Sequence, residues 1–106
     1  MISRLSFHGR GTQNGLIPHP ALLGLFEAGA AEAGIAVQRA TTVGALTETS
    51  YVQLEGVACI DLAFPLRYTH SAREVCDTGD LAALAALVLT GLTRLPEASL
   101  DRDVWT

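Results

Sequence analysis

The chain predicts a small α/β domain: a three-layer fragment with a mixed or mostly parallel sheet of about three strands, flanked by helices. Two observations lead there. Apolar segments of strand length alternate with segments of helical periodicity, in the order strand, helix, strand, helix, strand, helix. The run from Val57 to Phe64, apolar except for Asp61, reads as a strand covered on both faces, as in the middle of such a sheet. The 106 residues suffice for one core and are too few for two, so residues 1–96 form a single domain and residues 97–106 a polar tail.

Each element has a local reason. Ile2, Leu5 and Phe7 stand among polar residues as in a short half-buried strand, which the glycine-rich stretch from His8 to Gly15 ends as a loop. Gly9-x-Gly11 lacks the further residues of a dinucleotide or phosphate loop. Pro18-His19-Pro20 opens a helix, because a proline in the first turn forfeits no intrahelical bond. Leu22, Leu23, Phe26, Ala30 and Ala33 recur on its buried side, Glu27 and Glu32 fall in solvent, and Gly34 ends it. Ile35 to Ala40 reads as a second strand, and residues 41–44 as a turn. A short helix follows, with Thr47 as N-cap, Val52 packed inward and Gly56 as its stop. Pro65 stops the long apolar strand. The acidic approach from Glu74 to Asp80 suits the positive end of a last helix, whose buried stripe is Leu81, Leu84, Val88, Leu92 and Leu95, and which Pro96 ends. The tail is frayed, or docked on a neighbour through Trp105.

Composition narrows the function. Seven basic residues against eleven acidic give a net charge of −4, with no lysine and no arginine cluster, which argues against nucleic acid or a polybasic membrane contact. Cys59 and Cys76 form neither a disulfide framework nor a metal knuckle, and Cys59 reads as packing. With no leader-like start and no apolar run long enough to span a bilayer, a cytoplasmic location is expected.

Chemistry, where present, is expected just beyond the apolar strand, where Arg67, Tyr68, His70 and Ser71 bunch together. His70 alone is an ordinary loop histidine. A two-metal site needs about five or six ligands, and Asp61, Glu74, Asp77, Asp80 and His8 stand at no diagnostic spacing. His19, at the helix entrance, reads as structural rather than as a ligand. A Ser–His–acid arrangement lacks the nucleophile elbow. Asp61, a carboxylate in an apolar run, needs a partner, and Arg67 or Arg39 is the expected one.

Several spaced elements together carry a family resemblance. Gly15-Leu16-Ile17-Pro18-His19-Pro20, the helix closing at Gly34-Ile35, Thr47-Glu48, Gly56-Val57, and above all the run from Pro65 through Arg67-Tyr68-Thr69-His70-Ser71 to Asp77 resemble the C-terminal third of M42-family aminopeptidases, from about residue 3 to about residue 95. The resemblance implies a cytoplasmic hydrolase that removes N-terminal residues from peptides with two divalent metals, zinc or cobalt, and assembles into homo-oligomers. It assigns a metal-ligand role to His70 and places Arg67, Tyr68, Ser71, Thr47 and Glu48 beside the site. Where the family reads Gly-Gly-Thr-Asp-Ala, this sequence has Ala45-Leu46-Thr47-Glu48-Thr49. The family's other ligands and its glutamate base lie upstream of the matched part. The expectation is therefore a chain that binds no metal stably and is inactive alone, awaiting the N-terminal catalytic part. The alternative is a non-catalytic binding or oligomerisation module on the same scaffold.

Overall fold

A computed structural model describes residues 1–7, 15–43, 47–97 and 100. The fold is α/β, built on a three-stranded sheet in the order β2-β1-β3. Strand β1 (Ile2–Phe7) runs parallel to β3 (Arg39–Val43) and antiparallel to β2 (Gly15–Leu16). Between β1 and β3 the register slips after Ser3, so that Ile2 meets Arg39 and Leu5 meets Thr41. Helix α1 (Pro20–Ala33) makes the crossover between these parallel strands.

Two of the expected strands fall differently. Residues 35–38 lead into β3 without joining it, and residues 41–43, read as a turn, are strand. The Val57–Phe64 run is extended but not a regular strand. It meets β1 through one antiparallel bridge, Ile2 to Leu62, with Ser3 N donating to Asp61 O (3.0 Å) and Ala63 N to Met1 O (3.0 Å). One edge of β1 is taken by β3, and further along the chain Ser6 and Phe7 pair with β2. The run first meets His19, whose N–H donates to Cys59 O (3.1 Å), and then has only the first residues of β1 to pair with.

Helix α1 begins as expected with Pro20 in its first turn and ends at Gly34, left-handed at φ 68°, whose N–H reaches the carbonyls of Ala30 and Ala31. His19 is the N-cap: it is buried, and its Nδ1 accepts from Ala21 N at 3.2 Å. Leu22, Phe26 and Ala30 form the core with Ile2 and Leu87, while Ala33 is exposed. Glu27 and Glu32 are ion-pair partners, of Arg39 (2.7 Å) and of Arg94.

The short helix is α2 (Thr49–Val52), continued by a 3-10 turn over Gln53–Glu55 and stopped by left-handed Gly56 at φ 85°. Val52 is exposed rather than inward, and Ser50 is the buried residue. Gln53 ties this turn to β2: its amide nitrogen donates to Gly15 O, and its Oε1 accepts from Ile17 N at 3.1 Å. A side chain thus satisfies one backbone group of this edge strand and one of the residue that follows it.

Helix α3 (Thr78–Arg94) is capped by Asp77, whose Oδ1 accepts from Gly79 N at 2.6 Å, with Asp80 in its first turn. Its buried face is rotated from the expected stripe. Leu87 and Gly91 are buried, and Leu95 packs on the core, but Leu81, Val88 and Leu92 are exposed at 46%, 36% and 56%. Apolar residues lie all round this helix, so periodicity alone does not select a face. The face is selected by α1, which comes close enough that a Cβ on Gly91 would lie 2.2 Å from the nearest carbon of the Phe26 ring. No helix of the described residues is long and apolar enough to cross a membrane. Residues 8–14, with the loop and Gly9-x-Gly11, residues 44–46 and Trp105 lie outside the described residues.

Candidate functional site

The candidate site is the loop from Arg67 to Val75, between the extended 57–65 run and the cap of α3. Its ends are clasped by a reciprocal backbone pair: Arg67 N donates to Val75 O (2.9 Å) and Val75 N to Arg67 O (3.2 Å). Inside this clasp Ser71 N donates to Tyr68 O (3.2 Å), and the Ser71 hydroxyl lies at 2.5 Å from Tyr68 O and 2.7 Å from Arg73 O. The loop therefore folds around its own hydroxyl, as serine commonly does in turns.

Within it, Tyr68 and His70 both hold left-handed backbones, at φ 63° and 61°. Among the described residues they are the only non-glycine positions to do so. Such conformations cost about 1–3 kcal/mol each and collect at functional sites. The His70 N–H donates to Glu74 Oε1 at 2.8 Å. Arg67, Tyr68, His70 and Ser71 are all exposed.

Thr47 and Glu48 belong to a different grouping. Thr47 does not cap α2. The N-cap position is Glu48, which makes no side-chain cap bond, and the Thr47 hydroxyl instead donates to Asp61 Oδ1 at 2.8 Å. Thr49 donates to the same oxygen at 2.7 Å. Asp61 is thus held by two threonine hydroxyls rather than by the expected Arg67, while Arg39 pairs with Glu27. No sequence signal separates this from an arginine pair, because the threonines are brought to Asp61 by the α2 turn. Burial and, less strongly, the nearby Asp61 charge push the Cys59 thiol above its ordinary pKa. Cys59 and Cys76 are both free thiols, one buried and one exposed.

A metal pair does not fit what these residues offer. Among the described residues no three His, Cys, Asp or Glu side chains come together as a possible metal site. Glu74 is engaged by a backbone N–H and Asp61 by hydroxyls. His8 lies outside the described residues, and His19 is spent on a helix cap.

The structure thus defines an α/β segment that displays one histidine on a strained, self-bonded loop. Comparison with known proteins identifies the class. A family profile described as M42 glutamyl aminopeptidase matches residues 10–87. "Putative aminopeptidase SgcX" of Escherichia coli (strain K12) is 44% identical over 99 residues, which is 92% of this chain and 26% of that protein. This chain belongs to the M42 peptidase family, and it spans about a quarter of the length of that relative. No solved structure shows a significant match.

Proposed function

We propose that this chain is the C-terminal part of an M42-type aminopeptidase, a hydrolase of peptide N-termini, and that it contributes His70 as one ligand of a two-metal site whose other ligands come from elsewhere. The observation that carries the reading is the Arg67-Tyr68-Thr69-His70-Ser71 loop. It lies within the family match and holds its histidine exposed at an unfavourable backbone angle. The metals, zinc or cobalt, would polarise the scissile carbonyl in the complete enzyme. One imidazole does not hold such a pair, so the chain alone is inactive. A cytoplasmic location accords with two free cysteines.

The test is metal content and release of N-terminal residues from a chromogenic aminoacyl substrate. The chain alone should give neither stoichiometric metal nor turnover. Mixing it with the upstream portion of an M42 enzyme should restore both, and the His70→Ala chain should not. Stoichiometric zinc with turnover by this chain alone would overturn the proposal.

A second reading, a binding or homo-oligomerising module that keeps the scaffold without chemistry, is favoured by one observation. Leu81, Leu89 and Leu92 of α3 are 46%, 67% and 56% exposed, and a helix apolar all round belongs inside a larger body. Sedimentation at micromolar concentration tests it, with a well-behaved monomer counting against it.

A further inference from the structure

We infer that Glu74 is the positioning residue of His70: by accepting the His70 N–H it holds that residue in the left-handed backbone conformation and so sets where the imidazole is presented. The inference rests on the proposed role of His70 only for its functional consequence. Its structural content stands on the loop itself.

The loop contains two kinds of bond. The Arg67–Val75 clasp and the Ser71 hydroxyl fix its ends and its middle. None of these touches the His70 backbone. Glu74 Oε1, at 2.8 Å from His70 N, is the contact that does. A β-carbon disfavours the left-handed region, and although histidine enters it more readily than most residues, a contact from outside the residue stabilises it at φ 61°; a hydrogen bond from a backbone N–H to a carboxylate is among the stronger bonds available. Glu74 is also well placed in sequence, because Val75 beside it is clasped to Arg67. Its backbone is anchored before its side chain reaches back. Glutamate at this position is therefore used for its acceptor oxygen, and glutamine, which keeps a carbonyl oxygen on the same stem, is the conservative replacement.

The experiment compares the full chain with Glu74→Gln and Glu74→Ala by NMR, without metal or substrate. A left-handed residue brings its own amide and α protons unusually close, so His70 should show a strong intraresidue contact between them in the parent and in Glu74→Gln. In Glu74→Ala that contact should weaken, and the His70 amide should exchange with solvent about tenfold faster, the order expected for losing a charge-assisted hydrogen bond. Amides at Ala30 and Leu87, in the α1–α3 core, should keep their protection in all three. A Glu74→Ala chain that retains the parent contact and exchange rate at His70 would overturn the inference. So would a loss of protection that spreads equally to the core, since that marks a general structural role. Failure of His70 to act as a ligand in the reconstitution assay leaves this result untouched, and the reverse holds too.

Discussion

Two glycine-to-alanine substitutions, one in each long helix, should act in opposite directions. Gly24 is exposed within α1, and a Cβ there would meet nothing within 4 Å. Alanine removes unfolded-chain entropy and should raise stability by about 0.5–1 kcal/mol. Gly91 lies within α3 and would gain about as much from propensity. Its new Cβ, however, would overlap the Phe26 ring. That ring is buried in the core cluster with Leu22, Ala30 and Leu87. Overpacking of this kind costs about 1–3 kcal/mol, so the net effect is a loss of about 1–2 kcal/mol. For a domain of this size each kcal/mol moves the thermal midpoint by roughly 4–8 °C. Circular dichroism melts and urea titrations of both variants would show it as a raised midpoint for Gly24→Ala and a lowered one for Gly91→Ala, with unchanged urea slopes. A Gly91→Ala chain as stable as the parent would refute the close approach of α1 and α3, and with it the reason given for which face of α3 is buried.

Other outcomes follow from the site and its surroundings. His70→Gly should raise stability by about 1 kcal/mol, because glycine accepts the left-handed backbone without penalty; a urea midpoint below that of the parent would count against strain at this position. Asp61→Ala removes the acceptor of both the Thr47 and Thr49 hydroxyls and should cost about 1–3 kcal/mol, with Asp61→Asn recovering part of it, as read by denaturant unfolding. Iodoacetamide at neutral pH should label exposed Cys76 well before buried Cys59, which mass spectrometry of peptides resolves. The raised Cys59 thiol also sets a direction for alkaline pH. Because the folded state holds this proton more tightly than the unfolded chain, its contribution is intact below the ordinary thiol pKa. It is lost as pH rises through the raised one. A Cys59→Ala chain should therefore show a smaller alkaline fall in stability than the parent.

Local chemistry was the most legible part of this chain. Pro20 at the start of α1, Gly34 and Gly56 as left-handed stops and Asp77 before α3 act through their own backbones or nearest neighbours, and they stand where their residue types require. The Arg67-Tyr68-Thr69-His70-Ser71 motif was legible in the same way, since a run of adjacent residues carries it. The bonding inside that loop was not. Neither the left-handed angles of Tyr68 and His70 nor the reach of Glu74 back to His70 leaves a mark in residue type.

What the amino-acid order determined by itself was the α/β class, the positions of the helix ends, and membership of a peptidase family through a short motif. The tertiary structure alone decided the rest. It left the Val57–Phe64 run as an extended edge rather than a strand, because only the first residues of β1 were available to pair with it. It brought the hydroxyls of Thr47 and Thr49 to Asp61. It also turned α3 so that Leu87 and Gly91 face inward while Leu81 and Leu92 do not. In each case the sequence offers several partners of similar chemistry, and which one is met depends on where another part of the chain already lies.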